Sequence, residues 1–200
     1  MTIYGDRISG NCLKVKWTAD HLGLSYQWVD VSVLEGEARS DDFLRVNPFG
    51  QVPAVEFADG HTLAQSNAII FALAERAGST LVPSDAFQRA AALSWMFWEQ
   101  YSHEPAIAVR RFLLSGKKTP TEEIDPALYA RGERALSHME ARLQSAWLVG
   151  DAPTVADISL VAYTRVADEG GFDLGDYPNV KAWVGRVERE FDIPKTEGRF

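Results

Sequence analysis

The residues with the clearest chemical pattern lie between Asn47 and Ala72, in the sequence NPFGQVPAVEFADGHTLAQSNAIIFA. Because proline has no N–H for a sheet ladder, Val52-Pro53 is expected at a strand start or a sheet edge. Asp59-Gly60 is a hairpin turn signal, after which the chain returns as a second strand. Ser66 stands where a helix N-cap is expected, and a helix N-terminus favours an anionic ligand. The pattern predicts an exposed strand edge beside an anion site, which suits a short extended peptide that carries a carboxylate.

This stretch resembles the N-terminal domain of the cytosolic glutathione S-transferases. The pattern N-P-x-G-x-V-P, a short hairpin and then Gln65-Ser66 occur here in the order and spacing of that family. The resemblance implies that the peptide bond before Pro53 is cis, and that Val52 pairs main chain to main chain with the cysteinyl part of glutathione. It also implies that Gln65 and Ser66 bind the γ-glutamyl end of glutathione, which would be the co-substrate.

An enzyme that uses glutathione must stabilise a thiolate. A free cysteine thiol has a pKa of about 8.5, and lowering it by two units needs roughly 3 kcal/mol. A hydroxyl donor at a helix N-terminus can supply roughly 1.5–3 kcal/mol. Ser9 lies between the first predicted strand and helix and is followed by Lys14-Val15. Serine-type members of the family, of the bacterial theta-, zeta- or beta-like kind, have their activating serine in this loop, so we assign Ser9 as the catalytic residue.

Three neighbouring side chains are alternatives or need a separate assignment. Tyr4 is a rival donor, because other branches of the family use a tyrosine near the end of the first strand. The Asn11 amide is a second rival, since it can also donate to a thiolate. Cys12 is expected to be a small buried hydrophobic residue, because the redox-active cysteine of some relatives stands where Ser9 stands here.

Further ligand contacts are expected from both parts of the chain. Relatives often place a Lys or Gln at the position of Gln51, against the glycyl carboxylate of glutathione, and Arg39 is a candidate for that carboxylate by its charge. Trp98 and Tyr101 are candidates for the pocket of the acceptor substrate, although an aromatic-rich helix is also typical of a core. The four histidines show no metal-ligand spacing, so no metal is expected.

The order of the predicted elements indicates two domains. A strand, a helix and a parallel strand, followed by a short helix, the hairpin and the Ser66 helix, give the order of a thioredoxin-like α/β domain over residues 1–78. Residues 79–85 are predicted as a linker, and the strand signals then vanish. Residues 86–200 are predicted as an all-helical domain, which in the family contributes the acceptor-substrate pocket. The whole layout is that of the glutathione transferase fold.

Composition sets the remaining expectations. The first eighty residues carry 6 basic and 10 acidic side chains and the rest carry 14 and 18, so each part has a net charge of −4. This balance argues against nucleic acid or an anionic membrane as a partner. The single cysteine, the lack of a secretory signal pattern and the absence of a long apolar run predict a soluble cytoplasmic protein.

Taken together, the sequence predicts a homodimeric glutathione S-transferase that conjugates the glutathione thiolate to apolar electrophiles, as in detoxification. Two alternatives stay open at this point. One is a glutathione-dependent isomerase, dehalogenase or peroxidase, because the acceptor pocket cannot be read from the residues. The other is a non-catalytic binding or interaction module that keeps the fold as a scaffold.

Overall fold

The structure is a computed structural model that describes residues 1–200. The chain divides into two compact units. The first comprises Met1–Ser79 and Thr196–Gly198, and the second comprises Thr80–Lys195 and Arg199–Phe200. None of the helices combines the length and the apolar character that crossing a bilayer requires.

The first unit is a four-stranded sheet with three helices. Its elements are β1 (Thr2–Gly5), α1 (Gly10–His21), β2 (Gln27–Asp30), α2 (Asp41–Val46), β3 (Ala54–Glu56), β4 (Thr62–Ala64) and α3 (Ser66–Arg76). The strand order is β2-β1-β3-β4, with β1 parallel to β2 and antiparallel to β3, and β3 antiparallel to β4. This confirms the predicted thioredoxin-like arrangement, including the parallel pair that the strand–helix–strand order implied.

Helices α1 and α3 pack closely against each other and bury an apolar layer with the sheet, in which Ile3, Val55 and Ile69 are fully buried. Gly5, at the end of β1, is needed for this packing. A Cβ at that position would lie 2.9 Å from the Trp28 ring and 3.0 Å from the Cys12 Cβ. The missing side chain therefore lets the first turn of α1 approach the sheet.

The second unit is all helical, as predicted. It contains α4 (Ala86–Trp98), α5 (Glu104–Arg111), α6 (Pro126–Arg142), α7 (Val155–Thr164) and α8 (Pro178–Glu190), and every residue of α7 is buried. A helix that is buried on all sides forms the centre of a bundle, and α4, α5 and α8 pack against it. The sequence Thr154-Val155-Ala156-Asp157 predicts a capping box, and Thr154 and Asp157 form one at the start of α7.

The sequence predicted one long helix over 87–114 with a break at Pro105, and the structure differs in detail. Two π-helical turns, Glu99–His103 and Phe112–Gly116, interrupt the helical run, and Pro105 lies in the first turn of α5, directly after the first π turn. The apolar pattern also predicted a second long helix with Leu143 and Trp147 on its buried face, but α6 is shorter than that. Leu143 and Trp147 are buried, but they follow the end of the helix at Arg142.

Candidate functional site

Three segments of the first unit meet at one end of its sheet. Strand register pairs Tyr4 with Ala54 and Ala54 with Ala64. The β1–α1 loop leaves the sheet just after Tyr4, Val52-Pro53 enters just before Ala54, and Gln65 follows Ala64 directly. The groups predicted to bind glutathione and its sulfur are therefore brought to the same edge by the pairing of short strands.

Ser9 occupies the N-cap position of α1, with φ −83° and ψ 114°. Its main-chain N–H donates to the Asp6 carbonyl, and its carbonyl accepts from Cys12 and Leu13, which fixes the loop. The Ser9 side chain makes no capping hydrogen bond. The hydroxyl is instead hydrogen-bonded to Cys12 and lies at the N-terminus of a twelve-residue helix. Ser9 therefore does not use its side chain to cap the helix, as an N-cap serine ordinarily does.

Asp6 is a residue that sequence reasoning missed. Its carboxylate accepts from the main-chain N–H of Ile8 at 3.1 Å and of Val33 at 2.7 Å. These two bonds connect the loop that carries Ser9 to the segment after β2. An aspartate two residues before a turn is a signal for this kind of side-chain-to-backbone bond, and it could have been recognised in the sequence.

Tyr4 and Cys12 both have a raised pKa, which makes them less suitable than Ser9 for the proposed chemistry. The Tyr4 hydroxyl donates to Glu56 at 3.1 Å, and burial, together with this hydrogen bond and the Glu56 charge, raises the pKa of Tyr4. Its proton is therefore already held by a carboxylate. Burial raises the pKa of Cys12 to about 12, despite the opposing hydrogen bond with Ser9. A thiol in this state is protonated and unreactive near neutral pH.

The segment before β3 presents an unpaired main chain. The peptide bond between Val52 and Pro53 is cis, as the resemblance implied. The N–H and C=O of Val52 enter no hydrogen bond within the protein. An extended peptide can use such groups in the manner of an added strand.

Asn47 holds this segment in place, and the sequence analysis gave it no role. Its side-chain Nδ2 donates to the Gln51 carbonyl at 2.6 Å, and its Oδ1 accepts from the Phe49 N–H at 3.1 Å. The residue is only 2% exposed. A buried asparagine just before a Pro-x-Gly turn is a typical loop-organising residue, so the signal was present in the N-P-x-G pattern.

Gln65 and Ser66 begin α3, with one correction to the sequence prediction. Ser66 was expected as the N-cap, but Gln65 is the N-cap and Ser66 is the first helical residue. Gln65 has φ 71°, a left-handed conformation that is rare for residues other than glycine. Its side chain does not cap the helix. Strained backbone of this kind is concentrated at functional sites.

Ser66 connects the two helix N-termini. Its hydroxyl donates to the Asn11 side-chain oxygen at 2.9 Å. This bond joins the first turn of α3 to the first turn of α1, so the elements that carry Ser9 and Gln65 form one structural group. The uncapped N-terminus of α3 has main-chain donors directed at the space before it, which is the environment that a carboxylate prefers.

Arg39 and Gln51 flank the same loop. Gly50 has φ +60°, and a Cβ on it would lie 3.0 Å from an Arg39 guanidinium nitrogen. The arginine side chain thus packs on the loop that leads to Val52, while Gln51 is exposed beside it. Both side chains carry donors that suit a carboxylate.

Trp98 and Tyr101 lie in the second unit, where they line a cavity of about 430 Å³. Trp98 packs edge-on against Trp95 at 5.4 Å and lies 5.2 Å from the His138 ring. The opposite wall is formed by α6 and includes Arg131 and Arg134. No group of three or more potential metal ligands is present in the structure.

Comparison with known proteins identifies the family. The model for the glutathione S-transferase N-terminal domain matches residues 8–76, and that for the C-terminal domain matches residues 97–190. The chain belongs to the glutathione S-transferase family. The glutathione S-transferase of Pseudomonas fluorescens Pf-5 is 45% identical, with a TM-score of 0.92 over 98% of both chains. That of Xanthobacter autotrophicus Py2 is 42% identical, with a TM-score of 0.86 over 94% of this chain and 92% of that one.

The yeast Ure2 proteins are more distant relatives of this chain. Protein URE2 of Eremothecium gossypii is 28% identical over 94% of this chain. The chain in turn spans 65% of that relative's length. The structure of Ure2p in complex with glutathione has the same fold, with a TM-score of 0.84 at 23% identity over 94% of this chain and 88% of that one. The transferase fold and family membership are thus established, and the role of each site residue follows as a proposal.

Proposed function

We propose that the protein is a serine-type glutathione transferase, in which Ser9 donates a hydrogen bond to the glutathione thiolate. The observation that carries this proposal is the Ser9 hydroxyl at the N-terminus of α1, with no capping bond of its own. A donor and a helix dipole at one point stabilise an anion by the roughly 3 kcal/mol that lowering a thiol pKa by two units requires.

Glutathione binds along the edge at Val52. The free N–H and C=O of Val52 pair with the cysteinyl residue, and Gln65 and Ser66 bind the γ-glutamyl carboxylate through the uncapped end of α3. Gln51 and Arg39 bind the glycyl carboxylate. The thiolate then attacks an electrophilic carbon of an apolar acceptor, forms a carbon–sulfur bond and displaces the leaving group or adds to the double bond.

Two measurements test this proposal. Retention on immobilised glutathione tests binding, and conjugation of a generic aryl halide tests turnover. We expect both, with a bound thiol whose pKa lies below that of free glutathione. A protein that neither is retained nor conjugates any of a broad panel of electrophiles would not be a glutathione transferase.

The second candidate function is a non-catalytic module that binds glutathione. It is supported by the similarity to Ure2 proteins, one of which is described as a transcriptional regulator in Saccharomyces cerevisiae, at 25% identity. Retention without conjugation favours this function. Conversion of a peroxide, a halide or a double-bond isomer, with no conjugate formed, assigns instead a peroxidase, dehalogenase or isomerase.

We further propose a cytoplasmic homodimer that acts in detoxification. The dimer is supported by exposed aromatic side chains on α4 and on the π turn that follows it, where Phe87, Phe97 and Tyr101 are 88%, 71% and 87% exposed. Large apolar surfaces of this kind mark association sites. Sedimentation should give twice the mass of one chain, and Phe97→Glu should give a monomer. Trp98→Ala and Tyr101→Ala test the role of the adjoining cavity. A raised KM for the acceptor substrate would show that the cavity binds the acceptor, and a change in association alone would show that it serves the dimer.

A further inference from the structure

Asp6 organises the turn that carries the chain from β1 to Ser9. One carboxylate oxygen, Oδ1, accepts from the main-chain N–H of Ile8, two residues later, at 3.1 Å. The Asp6 carbonyl also accepts from the Ser9 N–H at 3.1 Å, which closes a four-residue turn. An aspartate at the first position of a turn commonly makes both bonds. Together they determine where Ser9 lies relative to the end of the strand.

The second carboxylate oxygen attaches this turn to another segment of the first unit. Oδ2 accepts from the main-chain N–H of Val33 at 2.7 Å, across 27 positions of the sequence. Val33 follows the end of β2 at Asp30. Because β1 and β2 are parallel neighbours, their carboxyl ends lie side by side, and one side chain can bridge the segments that leave them. Asp6 therefore fixes the turn against the sheet as well as within itself.

The direction of the Ser9 hydroxyl depends on this turn. The side chain makes no capping bond to α1, and its hydrogen bond with Cys12 is to a thiol, which is a weak hydrogen-bonding group. The backbone of the turn is thus the main determinant of where the hydroxyl points. A displacement of 1 Å or less changes both the length and the angle of a hydrogen bond, and such changes have large effects on chemistry.

The charge of Asp6 and its hydrogen bonds act in opposite directions on an anion at the start of α1. Burial raises the pKa of Cys12, and the Asp6 charge adds to this effect, so the carboxylate is felt at the first turn of the helix. A negative charge there disfavours any other anion nearby, including a thiolate. Positioning of Ser9 favours the thiolate instead. The sign of a measured shift therefore tells which contribution is larger.

We propose that Asp6 is a positioning residue, which fixes Ile8 and Val33 and thereby holds the Ser9 hydroxyl where it donates to the glutathione thiolate. The inference rests on the proposed function, because it specifies what orients the proposed donor. Asp6 itself touches neither substrate. It acts on the charge state of the sulfur and leaves the affinity for the rest of the tripeptide nearly unchanged.

The experiment measures the pKa of the bound glutathione thiol in the full chain, from the ultraviolet absorbance of the thiolate against pH. Asp6→Ala should raise this pKa by about 0.5–1 unit, which leaves roughly three- to tenfold less thiolate at a pH below it. Loss of the Asp6 charge alone would lower the pKa. S-methylglutathione has no thiol, so its dissociation constant, measured by calorimetry, should change by less than about twofold.

Three further variants separate positioning from charge and from general damage. Asp6→Asn keeps one acceptor oxygen, so it should raise the thiol pKa by less than Asp6→Ala. Asp30→Ala is the charge-matched control, because this carboxylate bonds to the Arg7 and Trp28 side chains, and the thiol pKa should not rise. In a Ser9→Ala background, Asp6→Ala should give no further rise, since its effect acts through the hydroxyl. Thermal unfolding checks that each variant is folded.

The outcomes distinguish the inference from the proposed function. A wild-type protein that binds no glutathione, or a Ser9→Ala variant with an unchanged thiol pKa, overturns the proposed function and the inference with it. Where both of these results are as expected, a thiol pKa that Asp6→Ala leaves unchanged or lowers overturns the positioning role alone. A rise that persists in the Ser9→Ala background, or that comes with an equal loss of affinity for S-methylglutathione, overturns it as well.

Discussion

The Cys12 thiol is hydrogen-bonded to the Ser9 hydroxyl on the first turn of α1, while burial raises the pKa of Cys12 to about 12. The thiol is therefore protonated throughout the physiological range. The hydrogen bond with Ser9 lowers the pKa of Cys12, against the larger effect of burial, so the serine hydroxyl is the donor in this contact. A protonated thiol is a weak acceptor, so a glutathione thiolate would compete well for the Ser9 proton.

Cys12 should resist alkylation in the folded protein. With a pKa of about 12, the thiolate fraction at pH 8 is on the order of 10⁻⁴, and the sulfur is fully buried. Iodoacetamide should leave the native protein unmodified over hours and modify it rapidly in guanidinium chloride, as mass spectrometry would report. Rapid labelling of the native protein would contradict the burial of this thiol.

The same group should make stability depend on pH in the alkaline range. Its folded pKa, about 12, lies above the ordinary value of 9.0, so the folded state retains a proton that the unfolded state loses between these values. The resulting stabilisation is complete below pH 9 and is lost as the pH rises toward 12. Wild type should therefore lose about 2–4 kcal/mol more than Cys12→Ala over this range. If the unfolding free energies of the two proteins fell in parallel with pH, the predicted contribution of Cys12 would be contradicted.

Replacing Ser9 should raise the pKa of bound glutathione. Ser9→Ala removes a hydrogen bond to a charged sulfur, worth roughly 1.5–3 kcal/mol, so the thiol pKa should rise by about one to two units. The ultraviolet absorbance of the thiolate, followed against pH, measures this shift, and conjugation near pH 6.5 should slow at least about tenfold. Ser9→Thr is the matched control, because it keeps a hydroxyl. An unchanged pKa in Ser9→Ala would transfer the donor role to Asn11 or Tyr4, and the corresponding alanine or phenylalanine variants would identify which.

Gln65 should show a conflict between stability and binding. Its φ of 71° costs on the order of 1–3 kcal/mol for a residue with a side chain. Gln65→Gly should raise the free energy of unfolding by about 1 kcal/mol and weaken glutathione binding about tenfold, whereas Gln65→Ala should only weaken binding. Lys118, an exposed residue with φ 55° in the second unit, offers a matched control, because Lys118→Gly should add stability and leave binding unchanged. Full affinity in both Gln65 variants would remove this side chain from the binding site.

Asn47 should matter for both folding and affinity. Asn47→Ala removes two partly buried hydrogen bonds, to Gln51 and from Phe49, so we expect a loss of about 1–3 kcal/mol in urea unfolding. Glutathione affinity should fall at least about tenfold, since the Val52 edge would no longer be held. Phe49→Ala in the same loop is the control, because that side chain is 66% exposed. Equal effects of the two substitutions would mean that the loop does not depend on the asparagine.

Asp157 should be a stability determinant of the helical unit with no role in chemistry. It accepts from the Trp183 indole at 2.8 Å and from the Thr154 N–H in buried settings, and from the Leu148 N–H in a partly buried one. Asp157→Ala should cost at least about 3 kcal/mol in urea unfolding, because several buried donors lose their acceptor. Asp151→Ala, at an exposed position, should cost less than about 0.5 kcal/mol. A loss for Asp157→Ala as small as this would contradict the buried network.

Local patterns in the sequence were sufficient for most of the fold. The β-branched and aromatic residues of β1, the Asp59-Gly60 turn and the Thr154–Asp157 capping box each act over a few residues, so their structures could be predicted. The π-helical turns at 99–103 and 112–116 could not, because the hydrophobic pattern of a π turn hardly differs from that of an α-helix. The end of α6 was placed too late because buried residues beyond it continued the apolar pattern.

The candidate site was less predictable where it depends on contacts between distant segments. Ser66 has the side chain of an N-cap, yet Gln65 takes that position because the chain leaves β4 in a left-handed conformation. The bond from Ser66 to Asn11 joins residues 55 positions apart in the sequence, and only the packing of α1 on α3 brings them together. The turn-forming roles of Asp6 and Asn47 could have been predicted from the sequence, but the main-chain groups with which they form hydrogen bonds could not.

The Asn47 side chain makes two hydrogen bonds to its own loop, one donated to the Gln51 carbonyl and one accepted from the Phe49 N–H. These bonds have a thermodynamic consequence. The main-chain groups at Val52 are pre-organised before any ligand arrives. A tripeptide that docks there costs the protein little configurational entropy, so most of the interaction energy remains as affinity, and capture should proceed in a single fast kinetic phase.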